Sequence, residues 1–352
     1  MENEDIMLAT MGSQKKVVLP DPELLGPGKI ERKCFHCGWI GLGKMSQIGE
    51  YETWLCPNNH ILSFKKTKII NKVTKKQTAK KNEIIAKMPG FKIGRNNNLS
   101  IETNKVYCEN NLVTFSRMND NYLDLIVTSP PYDDLRKYEK VEWDYKKVFL
   151  EAYRTLKPGG VIVWVVGDET NEGESCSSFE QIIFATKTAG FRLHDTMIYK
   201  KHASPYPAGT TSMRYTQIFE FMFVLSKDKP KTVNLIEDKI NTCKGQFNSK
   251  IKKTIKEYGP RDNIWEYKTG GVDTHKDPIA SLHPAVFPEL LAADHIKSWS
   301  NEGDIVYDCF AGSGTTLKIA HDLKRLYIGS EISDKYCKII DERLRTLFTK
   351  TK

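Results

Sequence analysis

The sequence predicts an α/β protein, a parallel sheet wrapped by helices, preceded by a small N-terminal module of zinc-ribbon type. Three observations carry the prediction. From residue 104 onward, apolar runs of strand length alternate with stretches of helical period. One of the later strands runs into Asp308-Cys309-Phe310-Ala311-Gly312-Ser313-Gly314, a glycine turn between strand and helix, with an acidic residue, Glu331, about twenty positions on. Near the N-terminus, Cys34, Cys37, Cys56 and His60 have the spacing of a metal site made from two turns.

In chain order, residues 1–64 form the first segment. Cys34 and Cys37 stand as C-x2-C, and after eighteen residues Cys56 and His60 stand as C-x3-H. Gly38, Gly41 and Gly43, with Pro57-Asn58-Asn59, supply the tight turns that would bring three thiolates and an imidazole onto one Zn2+ ion. With all four tetrahedral positions filled by protein, such a zinc is structural and stiffens a module too small to bury much core. A reduced thiol pair with an incidental Cys and His is the bland alternative. Residues 65–100 form a linker in which Lys65, Lys66, Lys68, Lys72, Lys75, Lys76, Lys80 and Lys81 crowd together; a solvated face and a phosphate-contacting arm account for it equally.

Residues 101–225 read as the first half of the main domain. Val106-Tyr107-Cys108 is a short strand, Leu112 to Met118 a helix, and Leu123-Asp124-Leu125-Ile126-Val127 a buried strand. A helix over Lys146 to Leu156 follows, then a turn at Lys157-Pro158-Gly159-Gly160 and a buried strand over Val161 to Val166. Phe179 to Ala189 reads as a helix, and Leu193 to Tyr199 and Gln217 to Leu225 as two more strands. Residues 226–275 break the pattern: they are polar, with Lys244, Lys250, Lys252, Lys253, Lys256 and Arg261 between small apolar patches, and a loop of that length usually has a function. Residues 276–352 resume it with a helix over Leu290 to Trp299, a strand over Ile305 to Cys309, the glycine turn, a helix over Thr316 to Leu323 and a strand over Leu326 to Gly329.

Composition sets the class. At 352 residues, with 39% hydrophobic and 28% charged residues, the chain can bury a sizeable core. A formal net charge of +9 favours a polyanionic partner. No apolar run approaches the ~20 residues that span a bilayer, and Met1-Glu2-Asn3-Glu4-Asp5 lacks the start of a secretion signal, so a cytoplasmic protein without membrane association is expected. The eight cysteines suit metal ligation plus free thiols better than a disulfide framework.

A second short segment, Thr128-Ser129-Pro130-Pro131-Tyr132, hangs from the carboxyl end of the strand at 123–127. Together with the glycine turn about 180 residues later, it resembles the catalytic and cofactor motifs of DNA amino-methyltransferases that use S-adenosylmethionine (AdoMet). Catalytic motif before cofactor motif resembles their beta type, a circularly permuted, Rossmann-like class I methyltransferase, and the likeness extends over roughly residues 104 to 345. A Pro-Pro turn after a strand would explain the first segment alone, but not its company.

The resemblance implies a chemistry that fits these residue types. An exocyclic base amine is a poor nucleophile because its lone pair is delocalised into the ring. Ser129 hydroxyl and the Pro130 carbonyl can accept its N–H bonds and turn the lone pair towards the methyl group. Pro130 and Pro131 stiffen the loop without a competing N–H, and Tyr132 offers a face on which an extruded base can stack. Transfer is direct, with no covalent enzyme intermediate. For the cofactor, the resemblance implies Asp308, Phe310, Ala311, Gly312, Ser313 and Gly314 in the turn, Glu331 on the ribose hydroxyls, and His283 and Pro284 in the enclosing segment His283-Pro284-Ala285-Val286-Phe287-Pro288. Gly312 and Gly314 would let the backbone approach the methionine part. Near the adenine, family members commonly carry an acidic residue; Glu109 or Asn110 stands at that place. Residues 193–199 and 217–225 resemble the family's antiparallel edge hairpin, Asn263-Ile264-Trp265 an aromatic turn, and 226–275 a target-recognition insert.

A serine heading the motif usually goes with cytosine N4, aspartate or asparagine with adenine N6. Ser129 therefore favours N4-methylcytosine in double-stranded DNA, with adenine N6 as the alternative. The resemblance also carries a dimer and either a cognate restriction endonuclease or solitary action. The competing class is a zinc-ribbon nucleic-acid-binding protein with an inactive methyltransferase fold, against which the intact Ser129, Pro130, Pro131, Tyr132, Gly312, Gly314 and Glu331 count.

Overall fold

The computed structural model describes residues 32–33, 40–41, 44–48, 51–55, 61–66, 82–86, 88, 91–131, 143–168, 177–202, 215–249, 252–268, 279 and 288–349. The chain divides into two compact units, Met1–Lys76 and Gln77–Lys352.

In the first unit, β1 (Arg32–Lys33) pairs antiparallel with β2 (Ile40–Gly41), and β3 (Lys44–Ile48), β4 (Tyr51–Leu55) and β5 (Ile61–Lys66) form an antiparallel meander. Cys34 and Cys37 fall in sequence between β1 and β2, and Cys56 and His60 between β4 and β5; all four lie outside the described residues.

The second unit is built on eight strands in the order β15-β9-β10-β8-β7-β16-β17-β6. They are β6 (Lys105–Cys108), β7 (Leu123–Thr128), β8 (Leu156–Val166), β9 (Arg192–Lys201), β10 (Phe219–Ser226), β15 (Ile264–Tyr267), β16 (Ile305–Asp308) and β17 (Leu326–Glu331). All run parallel except β10, which is antiparallel to both β8 and β9. Helices α1 (Asn111–Arg117), α2 (Tyr145–Thr155) and α3 (Ser177–Phe184) cover one face, and α4 (Glu289–Trp299), α5 (Thr315–Asp322) and α6 (Asp334–Thr349) the other. Strand periodicity makes this possible: Ile162, Trp164 and Val166 of β8 pack with Phe149 and Phe184, while Val161, Val163 and Val165 pack with Leu291, Ile296 and Leu317. Among the described residues no helix is long and apolar enough to cross a membrane.

Four sequence expectations need correction. Lys157-Pro158-Gly159-Gly160 is the start of β8, not a turn: Gly159, at φ +83°, and Gly160 exchange backbone hydrogen bonds with Lys227 and Lys231, so the Pro-Gly-Gly stretch is a kinked strand end. The antiparallel pair β9 and β10 is not the sheet edge, because the expected aromatic turn at Asn263-Ile264-Trp265 runs into a strand, Ile264–Tyr267, that pairs with β9 and takes the edge. The helix over Phe179 to Ala189 changes to a π-helical turn at Ala185–Ala189, closed by Gly190 at φ 112°. Cys108 and Cys337, expected as free thiols, form a disulfide with Cα atoms 5.9 Å apart. Their 229-residue separation hides the pairing in the sequence; it arises because β6 lies beside β17, whose following helix folds back over it.

In the insert, β11 (Glu237–Ile240) pairs with β14 (Tyr258–Pro260), and β12 (Phe247–Asn248) with β13 (Lys253–Thr254). Two of its lysines have acidic partners: Lys244 meets Glu257 at 2.9 Å and Lys256 meets Glu237 at 3.0 Å. Arg261 binds Asp238 on β11 and Asp294 on α4 and lies over the Trp265 ring, which anchors the insert to the domain.

Candidate active site

In a sheet whose crossovers leave two neighbouring strands in opposite directions, the carboxyl ends of those strands open a crevice. Here β7 leads through α2 to β8 on one side, and β16 leads through α5 to β17 on the other. The crevice therefore opens at the ends of β7 and β16, where Ser129-Pro130-Pro131 follows one strand and the glycine turn follows the other. Two segments 180 residues apart meet for a topological reason.

The turn is held from three sides. Gly312 N donates to Glu331 Oε2 at 2.9 Å, and Ser333 N donates to Glu331 Oε1 at 2.9 Å. Burial pushes the Glu331 carboxyl above its ordinary range, while backbone N–H groups of Ser333, Gly312 and Ile332 pull it back. From α1, Asn111 Nδ2 donates to the Cys309 carbonyl at 3.2 Å. From α6, the fully buried Arg343 donates to the Ser313 carbonyl, to Ser313 Oγ at 3.1 Å and to Thr315 Oγ1 at 3.2 Å, with Glu289 as its counter-ion at 3.4 Å. Lys318 closes that group with a 2.6 Å bond to Glu289.

Asp308 heads the turn and is buried. Its Oδ1 accepts from Thr128 Oγ1 at 2.6 Å and from Phe310 N at 3.1 Å. Desolvation raises its carboxyl and the Thr128, Thr316 and Phe310 donors oppose the rise. Phe310 packs edge-on against Trp143, 5.1 Å between ring centres, and faces Trp164 at 6.2 Å, so the ring anchors the turn to the core. The two glycines differ. Gly312 has φ +54°, and Gly314 has φ +79°. A Cβ on Gly314 would meet Ile340 Cγ2 at 2.9 Å, so this glycine lets α6 approach the turn rather than clearing space for a ligand.

Ser129 and Pro131 are half-buried and Pro130 is buried; Tyr132, His283 and Pro284 lie outside the described residues. At the β6–α1 corner, Asn110 Oδ1 accepts from Leu112 N at 2.9 Å as the cap of α1. Glu109 is engaged by Arg117 through both carboxylate oxygens, at 2.7 and 2.8 Å, and by Thr114 at 2.9 Å. That ion pair holds the Glu109 carboxyl low against its desolvation.

Sequence reading gave no role to Asn111, Glu289 or Arg343, nor to Thr128 beyond its place at the head of the Ser129 segment. Arg343 had left a signal, a basic residue on the apolar face of α6 beside Ile339, Ile340 and Leu344. Thr128 and Asn111 left none beyond adjacency to a motif, because their partners come from the other end of the chain.

Residues 123–342 match a family of sequences described as DNA methylases. The chain is 49% identical to an orphan methyltransferase, M.BamHII, of Bacillus amyloliquefaciens over 244 residues, which is 65% of this chain and 91% of that one. It is 28% identical to the type II methyltransferase M.BglII of Bacillus subtilis over 67% of either chain. Among solved structures, a PvuII DNA methyltransferase described as cytosine-N4-specific superposes with a TM-score of 0.55 at 19% identity, covering 72% of this chain and 90% of that one, which is a likeness of fold.

Proposed function

The chain belongs to the DNA methylase family, and from that premise we propose that it moves a methyl group from S-adenosylmethionine to N4 of a cytosine extruded from double-stranded DNA. The observation that carries this reading is the meeting of Ser129-Pro130-Pro131 and the glycine turn at one crevice, joined by the Thr128–Asp308 bond.

The residues of the turn fit the cofactor. Glu331 accepts from the backbone N–H groups of Gly312, Ser333 and Ile332, retains acceptor capacity beyond these three, and stands at the end of β17, suited to ribose hydroxyls. Near the adenine we assign Asn110, whose Oδ1 carries one bond, from Leu112 N, and can accept a second; Glu109 is held in a two-point ion pair with Arg117. His283 and Pro284 would enclose the cofactor, with Ala311, Gly312 and Ser313 along its methionine part. When bound, AdoMet supplies an electrophilic methyl group on a sulfonium. Ser129 hydroxyl and the Pro130 carbonyl then accept the two amino N–H bonds and aim the nitrogen lone pair, and Tyr132 stacks on the extruded ring.

The insert at 226–275 would read the target, with its exposed Lys252, Lys253 and Phe247 on the β12–β13 hairpin as the group facing DNA. In the N-terminal unit, β1–β2 and β4–β5 bring the chain back on itself around each ligand pair, as a Cys34, Cys37, Cys56 and His60 zinc site needs. The orphan relative, at higher identity than the type II relatives, favours solitary action over a cognate endonuclease, and dimerisation remains part of the reading.

Incubation with unmethylated DNA and AdoMet, digestion to nucleosides and mass spectrometry tests this. N4-methylcytosine is expected, with at least a 100-fold loss, roughly, in Ser129→Ala. N6-methyladenine would keep the family and discard the assignment of Ser129 to cytosine; no methylated base would discard the activity.

A further inference from the structure

We propose that Thr128 is a positioning residue for methyl transfer, its hydroxyl fixing the strand end that carries Ser129 against Asp308 at the head of the cofactor turn. The proposal rests on the function given above.

Backbone pairing between β7 and β16 is confined to Leu125 with Val306 and Ile126 with Tyr307. Beyond those pairs the two strands part to open the crevice, and the ladder no longer sets the distance between the segments that follow. Thr128 lies in this gap. It is buried, 1% exposed, and its Oγ1 donates to Asp308 Oδ1 at 2.6 Å. The same hydroxyl accepts from Cys309 Sγ at 3.6 Å, and the same carboxylate oxygen accepts from Phe310 N at 3.1 Å. Three consecutive residues of the cofactor turn are thus tied, directly or through Asp308, to the residue immediately before Ser129.

The consequence is geometric. The methyl donor is held by the turn after β16 and the acceptor amine by the loop after β7, so donor–acceptor separation depends on what joins the two strand ends. A displacement of about 1 Å at a reacting pair costs on the order of 100-fold in rate. Cofactor affinity also has supports that do not involve the Thr128 hydroxyl, the Glu331–Gly312 bond and the Arg343 bonds to Ser313 and Thr315.

Thr128→Val keeps the shape and β-branching and removes the hydroxyl; Thr128→Ser keeps the hydroxyl. Turnover at saturating DNA and AdoMet, KM, AdoMet affinity by calorimetry and the thermal midpoint are read for wild type and both variants. The expected result is a kcat about 10- to 100-fold lower in Thr128→Val. AdoMet Kd stays within about threefold of wild type, and Thr128→Ser returns kcat to within about threefold. A merely structural Thr128 would lower the thermal midpoint and leave the kcat of folded protein unchanged. That outcome overturns the proposal, as does equal loss in Thr128→Ser, or a rise in AdoMet Kd that accounts for the loss. Where Thr128→Val does not fold, Thr128→Ala is read by the same criteria. Wild-type protein that transfers no methyl group overturns the function and this role together, whereas wild-type transfer with Thr128→Val unaltered overturns this role alone.

Discussion

At Glu331 two demands on one carboxylate conflict. In the role proposed for it, accepting from ribose hydroxyls, it would be ionised, yet its burial favours the protonated form and raises its pKa above the ordinary 4.5. Protonation replaces an acceptor with a donor, so AdoMet affinity should fall on acidification at a higher pH than for an exposed glutamate. Calorimetric Kd values across mildly acidic to neutral pH check this: wild type should weaken steadily as pH drops through the raised pKa, and Glu331→Gln should bind more weakly, by about tenfold, without that slope. A Glu331→Gln variant with an unchanged slope would place the titrating group elsewhere. Thr128 and Asn111 belong to the same scale. Each ties its own segment to the glycine turn through its side chain, and neither carries a pattern by which a sequence could announce it.

Among elements, α4 holds a group with a clear pH signature. His295 is fully buried, stacked near Trp265 at 4.7 Å, its Nε2 3.2 Å from Met222 Sδ and its Nδ1 without a hydrogen-bond partner among the described residues. Burial lowers its pKa from 6.5 to about 3. A depressed pKa means that the stability contributed by the neutral ring is complete above 6.5 and is lost as pH falls towards 3. Unfolding by urea at about pH 7.5 and about pH 5 should show roughly 2 kcal/mol more acid loss in wild type than in His295→Leu. Equal acid loss in both would assign it to other groups. The strands show where local reading reaches its limit. The interior of β8 was legible from its apolar run, but its first turn of chain was not, since Pro-Gly-Gly signals a turn unless another segment, here Lys227 to Lys231, supplies hydrogen bonds to an extended backbone. Likewise Ile264–Tyr267 has the aromatic content of many loops and became a strand because β9 offered an open edge.

For the molecule as a whole, the two units make separate demands. The larger has a core on both faces of an eight-stranded sheet. Among its described residues the smaller, Met1–Lys76, has short antiparallel strands, and the proposed zinc would stiffen so small a unit. Purified protein is expected to contain about one zinc per chain. Cys34→Ser should lower that content and loosen the N-terminal unit, measured as faster proteolysis within residues 1–76, while AdoMet binding by the larger unit persists. Unchanged zinc content in Cys34→Ser would remove Cys34 from the ligand set.

Local residue patterns were enough for the alternation of strands and helices, the strand that bears Ser129-Pro130-Pro131, the strand–turn–helix unit at 305–323 and the carboxylate at Glu331, because each is written in local periodicity and in residues whose backbone freedom is restricted or relaxed. It took the packing of the whole sheet to make β7 and β16 neighbours at the switch point, to spend Asp308 Oδ1 on Thr128 and Phe310, to bury Arg343 behind the glycine turn and to bond Cys108 to Cys337. Apart from the Phe310 bond, these are contacts between residues 28 to 229 positions apart, and a hydrogen-bond donor in a sequence carries no sign of which distant acceptor the packing of the sheet will bring to it.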